Sequence, residues 1–133
     1  MGIAYQLKCG HCAYRSNMFL GIGFSHVYVS SLLPALKKEE DRQRAASFID
    51  DDSAVHTACD VIYVCQQCGY LHNDLYLKIH ADTDQFELCH DCPRCAEPLT
   101  FEPLEDLDPE ATVMVCPECR KEKLEIEPFM DWD

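Results

Sequence analysis

The residues with the clearest chemistry are the cysteines, which make up 10 of the 133 residues. Two residues between a pair of cysteines allow both sulfurs to point at one ion, while backbone N–H groups of the same turn donate to the thiolates. Four such pairs in one short chain predict two four-thiolate metal sites. Zn²⁺ suits these sites because it is tetrahedral and has no redox chemistry, so we expect two Zn²⁺ ions as cofactors. The predicted ligands are Cys9, Cys12, Cys65, Cys68, Cys92, Cys95, Cys116 and Cys119.

The residues around the pairs favour the tight turns known as zinc knuckles. Gly69 follows Cys68, where a turn often needs a positive φ, and Pro93 and Pro117 follow the first cysteine of their pairs. With these C-x-x-C-G and C-P-x-C signatures, the chain resembles the zinc-ribbon and rubredoxin-like knuckle families. It is also similar to small bacterial double zinc-ribbon proteins without an assigned function. The resemblance implies the fold and the metal, and it leaves the activity open.

The spacing leaves the pairing of the four knuckles open. In the neighbour scheme, the first two knuckles form one site and the last two form the other. The alternative joins the two inner knuckles and leaves the outer knuckles to meet. We favour the neighbour scheme because the last two knuckles lie at a hairpin distance typical of a zinc ribbon. Cys59, Cys89 and His90 are alternative ligands, because each lies a few residues before a knuckle cysteine.

Two other kinds of chemistry fit the same residues. A four-thiolate site can hold iron, as in rubredoxin, but two sites and a large insertion favour structural zinc over electron transfer. Cys9-Gly10-His11-Cys12 also spells the active-site motif of protein disulfide isomerases. In those enzymes the motif opens a helix, which lowers the pKa of the first thiol. Residues 13–24 predict strand and turn instead, so we prefer a knuckle.

Short strands and one helix must position these knuckles. Strands are predicted over residues 3–9, 13–30, 61–64, 70–80, 113–115 and 123–127, and residues 81–88 form a polar link. The predicted fold class is a small, metal-stabilised α+β protein, with two zinc-ribbon β-hairpin units and one inserted helix in the first. The first unit spans 1–80 with its helix at about 31–49, and the second spans 86–133. Units this small need metal because they bury too little apolar surface.

The charge of the chain restricts its partners. The formal net charge is −13, and the last 37 residues contribute a net −9 of it. An acidic surface repels phosphate backbones, so nucleic acid is disfavoured and a protein with a basic surface is the expected partner. Without a long apolar run or a recognisable secretion signal, we expect no membrane association and a cytoplasmic location.

No catalytic constellation or small-molecule site is recognisable, so enzymatic activity is not favoured. The histidines are scattered, and for His72 and His80, which share a strand face, we expect a surface or interstrand role rather than metal ligation. The leading hypothesis is a non-catalytic protein-interaction module. The alternative, a nucleic-acid-associated zinc ribbon, rests on a few bases near the last knuckles, including Arg94 and Arg120.

The candidate partner-binding surface combines the acidic loop with the chain's aromatic tail. Acid-flanked aromatic side chains can anchor a protein on a basic groove. A competing interpretation is that Trp132 folds back and closes the core of the second ribbon. The predicted partner-binding residues are Leu104, Leu107, Phe129 and Trp132.

Overall fold

The computed structural model describes residues 1–100 and 102–133. Within these ranges the protein is a small α+β fold of one antiparallel sheet and two short α-helices, which agrees with the predicted class. Two 3₁₀ turns, Phe24–His26 and Leu33–Ala35, flank the first helix. The elements are β1 (Gly2–Cys9), β2 (Arg15–Gly21), α1 (Val29–Leu32), α2 (Glu39–Ala46), β3 (Val55–Val64), β4 (Leu71–His80), β5 (Gln85–Glu87) and β6 (Leu124–Trp132).

The sheet has six strands in the order β5-β4-β3-β2-β1-β6. The first two knuckles are the turns of two hairpins, β1–β2 and β3–β4. Strand β6 lies at the edge and pairs antiparallel with β1, from Gly2 opposite Trp132 to Cys9 opposite Leu124. The sheet therefore takes strands from both ranges that the sequence predicts as separate ribbons.

The segment between β2 and β3 differs from the prediction of a single helix over about 31–49. Two short helices form instead, because Pro34 lies in the 3₁₀ turn after α1 and Leu36 is extended. Helix α2 begins at Glu39 and carries three acidic residues in its first turn, which complement the helix dipole. The predicted strand over 13–30 is also too long, since β2 ends at Gly21 with φ of 117°. No helix in the described residues has both the length and the apolar character to cross a membrane.

Two large hydrophobic cores lie against the sheet, and a third, smaller cluster lies on β3. In one, Leu36 and Phe48 from the helical segment pack with Leu75, Leu77 and Ile79 of β4, whose alternate residues share one face. The other core contains side chains of β1, β2, β3, β4 and β6 together with side chains of the loop that precedes β6. It includes Tyr5, Leu7, Met18, Leu20, Leu107, Met114 and Leu124.

Strands β2 and β3 meet at Gly21 and Asp60, and the Asn73 side chain of β4 bonds to both strands further along. The Asn73 side chain donates to the carbonyl of Phe19 at 2.9 Å and accepts from its N–H at 2.8 Å. The acidic loop also bonds to the sheet, because Leu104 and Ile62 exchange backbone hydrogen bonds of 2.8 and 3.0 Å. The acidic loop is thus hydrogen-bonded to the sheet through its backbone.

Candidate metal centres

The structure brings the eight predicted cysteines into two groups of four, within which the sulfur atoms lie no more than 4.8 Å apart. The pairing is nested, so the neighbour scheme is wrong and the alternative is confirmed. Its cause is the pairing of β6 with β1, which carries the last knuckle to the first. The outer cluster is Cys9, Cys12, Cys116 and Cys119, and the inner cluster is Cys65, Cys68, Cys92 and Cys95.

The sulfur spacing in both clusters fits one tetrahedral ion. A Zn–S bond of about 2.3 Å gives a tetrahedron with edges of about 3.8 Å, whereas a disulfide has sulfurs about 2.05 Å apart. In the outer cluster, sulfur–sulfur distances are 3.7 Å for Cys9–Cys119 and 3.6 Å for Cys12–Cys116. In the inner cluster they are 3.5 Å for Cys65–Cys95 and 3.6 Å for Cys68–Cys92. Both clusters can therefore bind a metal ion.

Three of the four knuckles have the same backbone conformation. The residue after the second cysteine has positive φ, 80° at Gly69, 68° at Ala96 and 58° at Arg120. The N–H of each of these residues donates to the carbonyl of the first cysteine of its pair, at 2.8 to 3.0 Å. The turn predicted at Gly69 is confirmed, and the same conformation occurs at two positions where a side chain makes it strained.

The first knuckle shows the N–H···S contacts expected of a thiolate ligand. The backbone N–H groups of His11 and Cys12 donate to Cys9 Sγ at 3.3 and 3.4 Å. Such contacts stabilise negative charge on sulfur. The knuckle is closed by a backbone bond of 3.1 Å from the Cys9 N–H to the Tyr14 carbonyl.

Each cluster contains one thiol that ionises easily and one that resists ionisation. The Lys121 N–H lowers the pKa of Cys119 to about 6 against the opposing effect of burial. Burial raises the pKa of Cys68, but the Tyr70 N–H and Arg94 outweigh it and bring that pKa to about 6. Cys12 and Cys95 each accept a backbone N–H that lowers the pKa, yet burial and the neighbouring thiols raise it to about 12. Four thiolates can coexist at such short distances only around a cation.

Two arginines join the knuckles of different clusters. Arg94 donates to the carbonyls of Cys68 at 2.6 Å and Pro117 at 3.1 Å, and Arg120 donates to the same Cys68 carbonyl at 2.5 Å. The Arg94 guanidinium also lies 5.4 Å from the centre of the Tyr70 ring. Two of the basic residues behind the nucleic-acid alternative thus bond within the protein itself.

The three alternative ligands lie outside both clusters. Cys59 is 9% exposed on β3, and burial, with Glu105 and Asp60 nearby, raises its pKa to about 11. Cys89 is exposed, with its sulfur 3.7 Å from the Glu87 carbonyl. His90 lies beside His72 and Asp74 instead. The surface or interstrand role expected for His72 overlooked this group, although the sequence signal is present, since His72 and Asp74 are two residues apart on one strand.

The four predicted partner-binding residues have different environments. Leu107 is 3% exposed in the core, and Leu104 is half-buried beside Ile62, so neither side chain is presented to a partner. Phe129 is 50% exposed on the edge strand β6. Only this aromatic side chain among the four is open to solvent.

Trp132 folds back, but onto the first hairpin rather than the second ribbon. Its ring centre lies 6.4 Å from that of Phe19, edge to face, and 6.0 Å from that of His26. A Cβ at Gly2 or Gly23 would clash with the indole ring, so both positions need glycine for this close approach. The tail is therefore part of the sheet and its packing.

Comparison of the chain with protein-family models, curated proteins and solved structures found no match. The two four-cysteine clusters are compatible with a double zinc-ribbon protein.

Proposed function

We propose that the protein binds two structural Zn²⁺ ions, one in each four-cysteine cluster, and acts as a non-catalytic protein-interaction module. The observation that carries the zinc assignment is the sulfur spacing of 3.5–3.7 Å, which fits a tetrahedral Zn–S₄ centre. Four thiolates fill the coordination sphere of zinc and leave no position for substrate, which is the arrangement of a structural site.

The role proposed for the metals is to hold the knuckles at one end of the sheet. The outer cluster ties the start of the chain to its last strand, and its sulfurs pack within a hydrophobic core. The inner cluster ties the β3–β4 turn to the segment after β5. Metal binding supplies folding free energy to the short knuckle segments, which bury little apolar surface of their own.

Metal analysis of the purified protein tests the assignment. We expect two zinc ions per chain and no visible absorbance, whereas iron in a thiolate site would colour the protein. Cys12→Ser should reduce the zinc content to one ion. Cys89→Ser is the matched control, because Cys89 is exposed and outside both clusters, and it should retain two. If Cys12→Ser also retains two tightly bound ions, the assignment is wrong.

The proposed partner is a protein with a basic surface, and the proposed location is the cytoplasm, where thiols stay reduced. Each Zn–S₄ centre adds a net −2, which would deepen the formal charge from −13 to about −17. On β6, Phe129 and Met130 are 50% and 45% exposed, and Glu127 and Asp131 are exposed beside them. Aromatic and aliphatic anchors within an acidic rim suit a basic groove.

A charge-reversal comparison tests this surface. Affinity capture with the intact protein should recover a basic partner whose binding weakens as salt is raised. The variant Glu127→Lys/Asp131→Lys should lose it. Asp50→Lys/Asp52→Lys is the control, since it makes the same change of charge at exposed positions elsewhere. Equal retention by both variants would exclude β6 as the interface.

A further inference from the structure

A third group of metal-binding side chains lies outside the two cysteine clusters. Nitrogen atoms of His72 and His90 and a carboxylate oxygen of Asp74 lie within 4.8 Å of one another. His72 and Asp74 come from one face of β4, and His90 comes from the segment after β5. Their side chains are 13%, 13% and 19% exposed, so the group is largely shielded yet reachable from solvent.

A hydrogen bond fixes the orientation of the His90 ring. His90 Nε2 lies 2.7 Å from the Leu75 carbonyl oxygen. A carbonyl only accepts, so Nε2 carries a hydrogen and donates, and in the neutral ring the lone pair is then on Nδ1. His90 Nδ1 lies 3.5 Å from Asp74 Oδ2. Metal-binding histidines are held in this way, with one nitrogen donating to a carbonyl and the other facing the metal.

The carboxylate is oriented in a similar manner. The Leu75 N–H donates to Asp74 Oδ1 at 2.7 Å, so Oδ2 is the oxygen that faces both rings. Oδ2 is therefore the ligand atom that Asp74 offers to a metal ion.

The distances fit one metal ion. Bonds of about 2.0–2.2 Å to nitrogen and oxygen place neighbouring ligand atoms about 3.0–3.5 Å apart. Asp74 Oδ2 lies 2.9 Å from His72 Nε2 and 3.5 Å from His90 Nδ1. Two imidazoles and one carboxylate are the ligands of non-haem metal sites that keep open coordination positions.

The open side of the group faces a cavity of about 280 Å³. The histidines and Asp74 form one part of its wall, and Lys37 and Lys38 of the segment before α2 form another. Lys37 Nζ lies 3.6 Å from Asp74 Oδ2, and its side chain is 80% exposed and free to move towards a ligand. Ammonium groups beside open metal positions favour an anion.

We propose that His72, Asp74 and His90 form a third metal site, which binds a divalent transition metal and, at its open positions, a small carboxylate or phosphate anion. The site differs in kind from the four-cysteine clusters, since it lacks thiolates and its coordination sphere is incomplete. It goes beyond the structural role proposed for those clusters and does not depend on it.

Cobalt titration of the full-length zinc-loaded protein tests the metal site. A third metal equivalent should bind as Co²⁺ without the intense sulfur-to-metal charge-transfer bands that thiolate ligation produces. His72→Gln should weaken this binding at least 10-fold while retaining both zinc ions and the native circular dichroism spectrum. His80→Gln on the same strand is the control and should bind as the unchanged protein does. If the protein binds only two metal ions in total, or if both variants bind the third Co²⁺ ion equally well, the three side chains form a histidine–aspartate ion pair only. Either result would overturn the proposal.

Oxalate and inorganic phosphate test the open positions. Either anion should alter the visible spectrum of the third Co²⁺ ion. Lys37→Gln/Lys38→Gln should weaken that response several-fold. A cobalt spectrum that neither anion changes would show a closed coordination sphere and overturn the anion-binding part.

Discussion

The outer and inner clusters have the same ligands but connect very different lengths of chain. Cys12 and Cys116 are 104 residues apart, whereas Cys68 and Cys92 are 24 apart. Loop closure costs entropy that grows with the logarithm of loop length, so this difference is about 1 kcal/mol. The inner cluster can assemble from a local segment, while the outer cluster requires the first and last strands to meet.

Their surroundings differ as well. All four outer cysteines pack with the core that contains Leu7, Met114 and Leu124. The inner knuckles contact Arg94, which donates to the Cys68 carbonyl and lies over the Tyr70 ring. The same four-cysteine arrangement therefore adjoins a hydrophobic core in one place and a polar junction in the other, and loss of each cluster should have unequal consequences.

The largest effect is expected from removing both metals. A strong chelator with mild denaturant should unfold the protein, because a structural zinc site contributes on the order of 10 kcal/mol in small peptides. Circular dichroism during chelation measures this, and readdition of zinc is the control. A native spectrum after complete metal removal would mean that the hydrophobic cores maintain the fold without metal.

The next largest effect is the difference in stability between variants that each lack one cluster. Cys119→Ser and Cys95→Ser are matched, since both cysteines are half-buried, end a C-P-x-C knuckle and precede a residue with positive φ. Each should lose one zinc ion. Cys119→Ser should destabilise the protein by about 1–2 kcal/mol more, because it also opens the core and the longer loop. Denaturant unfolding and zinc content measure both effects, and equal destabilisation would contradict the comparison.

A smaller effect is expected at the junction of the knuckles. Arg94→Ala removes hydrogen bonds to the Cys68 and Pro117 carbonyls and should cost about 1–2 kcal/mol. It should also weaken zinc at the inner cluster more than at the outer, because Arg94 lowers the pKa of Cys68. Arg15→Ala, at an exposed position of β2, is the control and should be near neutral. Competition with a chromogenic chelator measures the two zinc affinities.

The smallest effect tests one knuckle turn. Gly69→Ala should destabilise the protein by about 1 kcal/mol, because φ is 80° there while the space for a Cβ is open. Gly10→Ala is the matched control in the other hairpin knuckle, since its Cβ also meets nothing and its φ is not positive. Thermal unfolding measures both variants, and an equal loss would mean that backbone strain is not the cause.

The eight candidate metal ligands and the turn at Gly69 follow from the sequence because a knuckle is a local structure. Its two sulfurs, its turn and its N–H donors all lie within a few residues of one another. The strands that flank the first two knuckles were predicted for the same reason, since residues 3–9, 61–64 and 70–80 fall within β1, β3 and β4 almost entirely.

The pairing of the knuckles was decided by tertiary structure. Loop-closure entropy changes too slowly with length for the spacing to choose between the two schemes, and the pairing of β6 with β1 made the choice. The same holds for Leu107, whose acidic neighbours suggest a surface loop although its side chain is buried. It holds also for His72, Asp74 and His90, because only the fold of β4 against the segment after β5 brings them together. The sequence determined which cysteines form knuckles that could bind metal, and long-range packing determined which of them form one cluster.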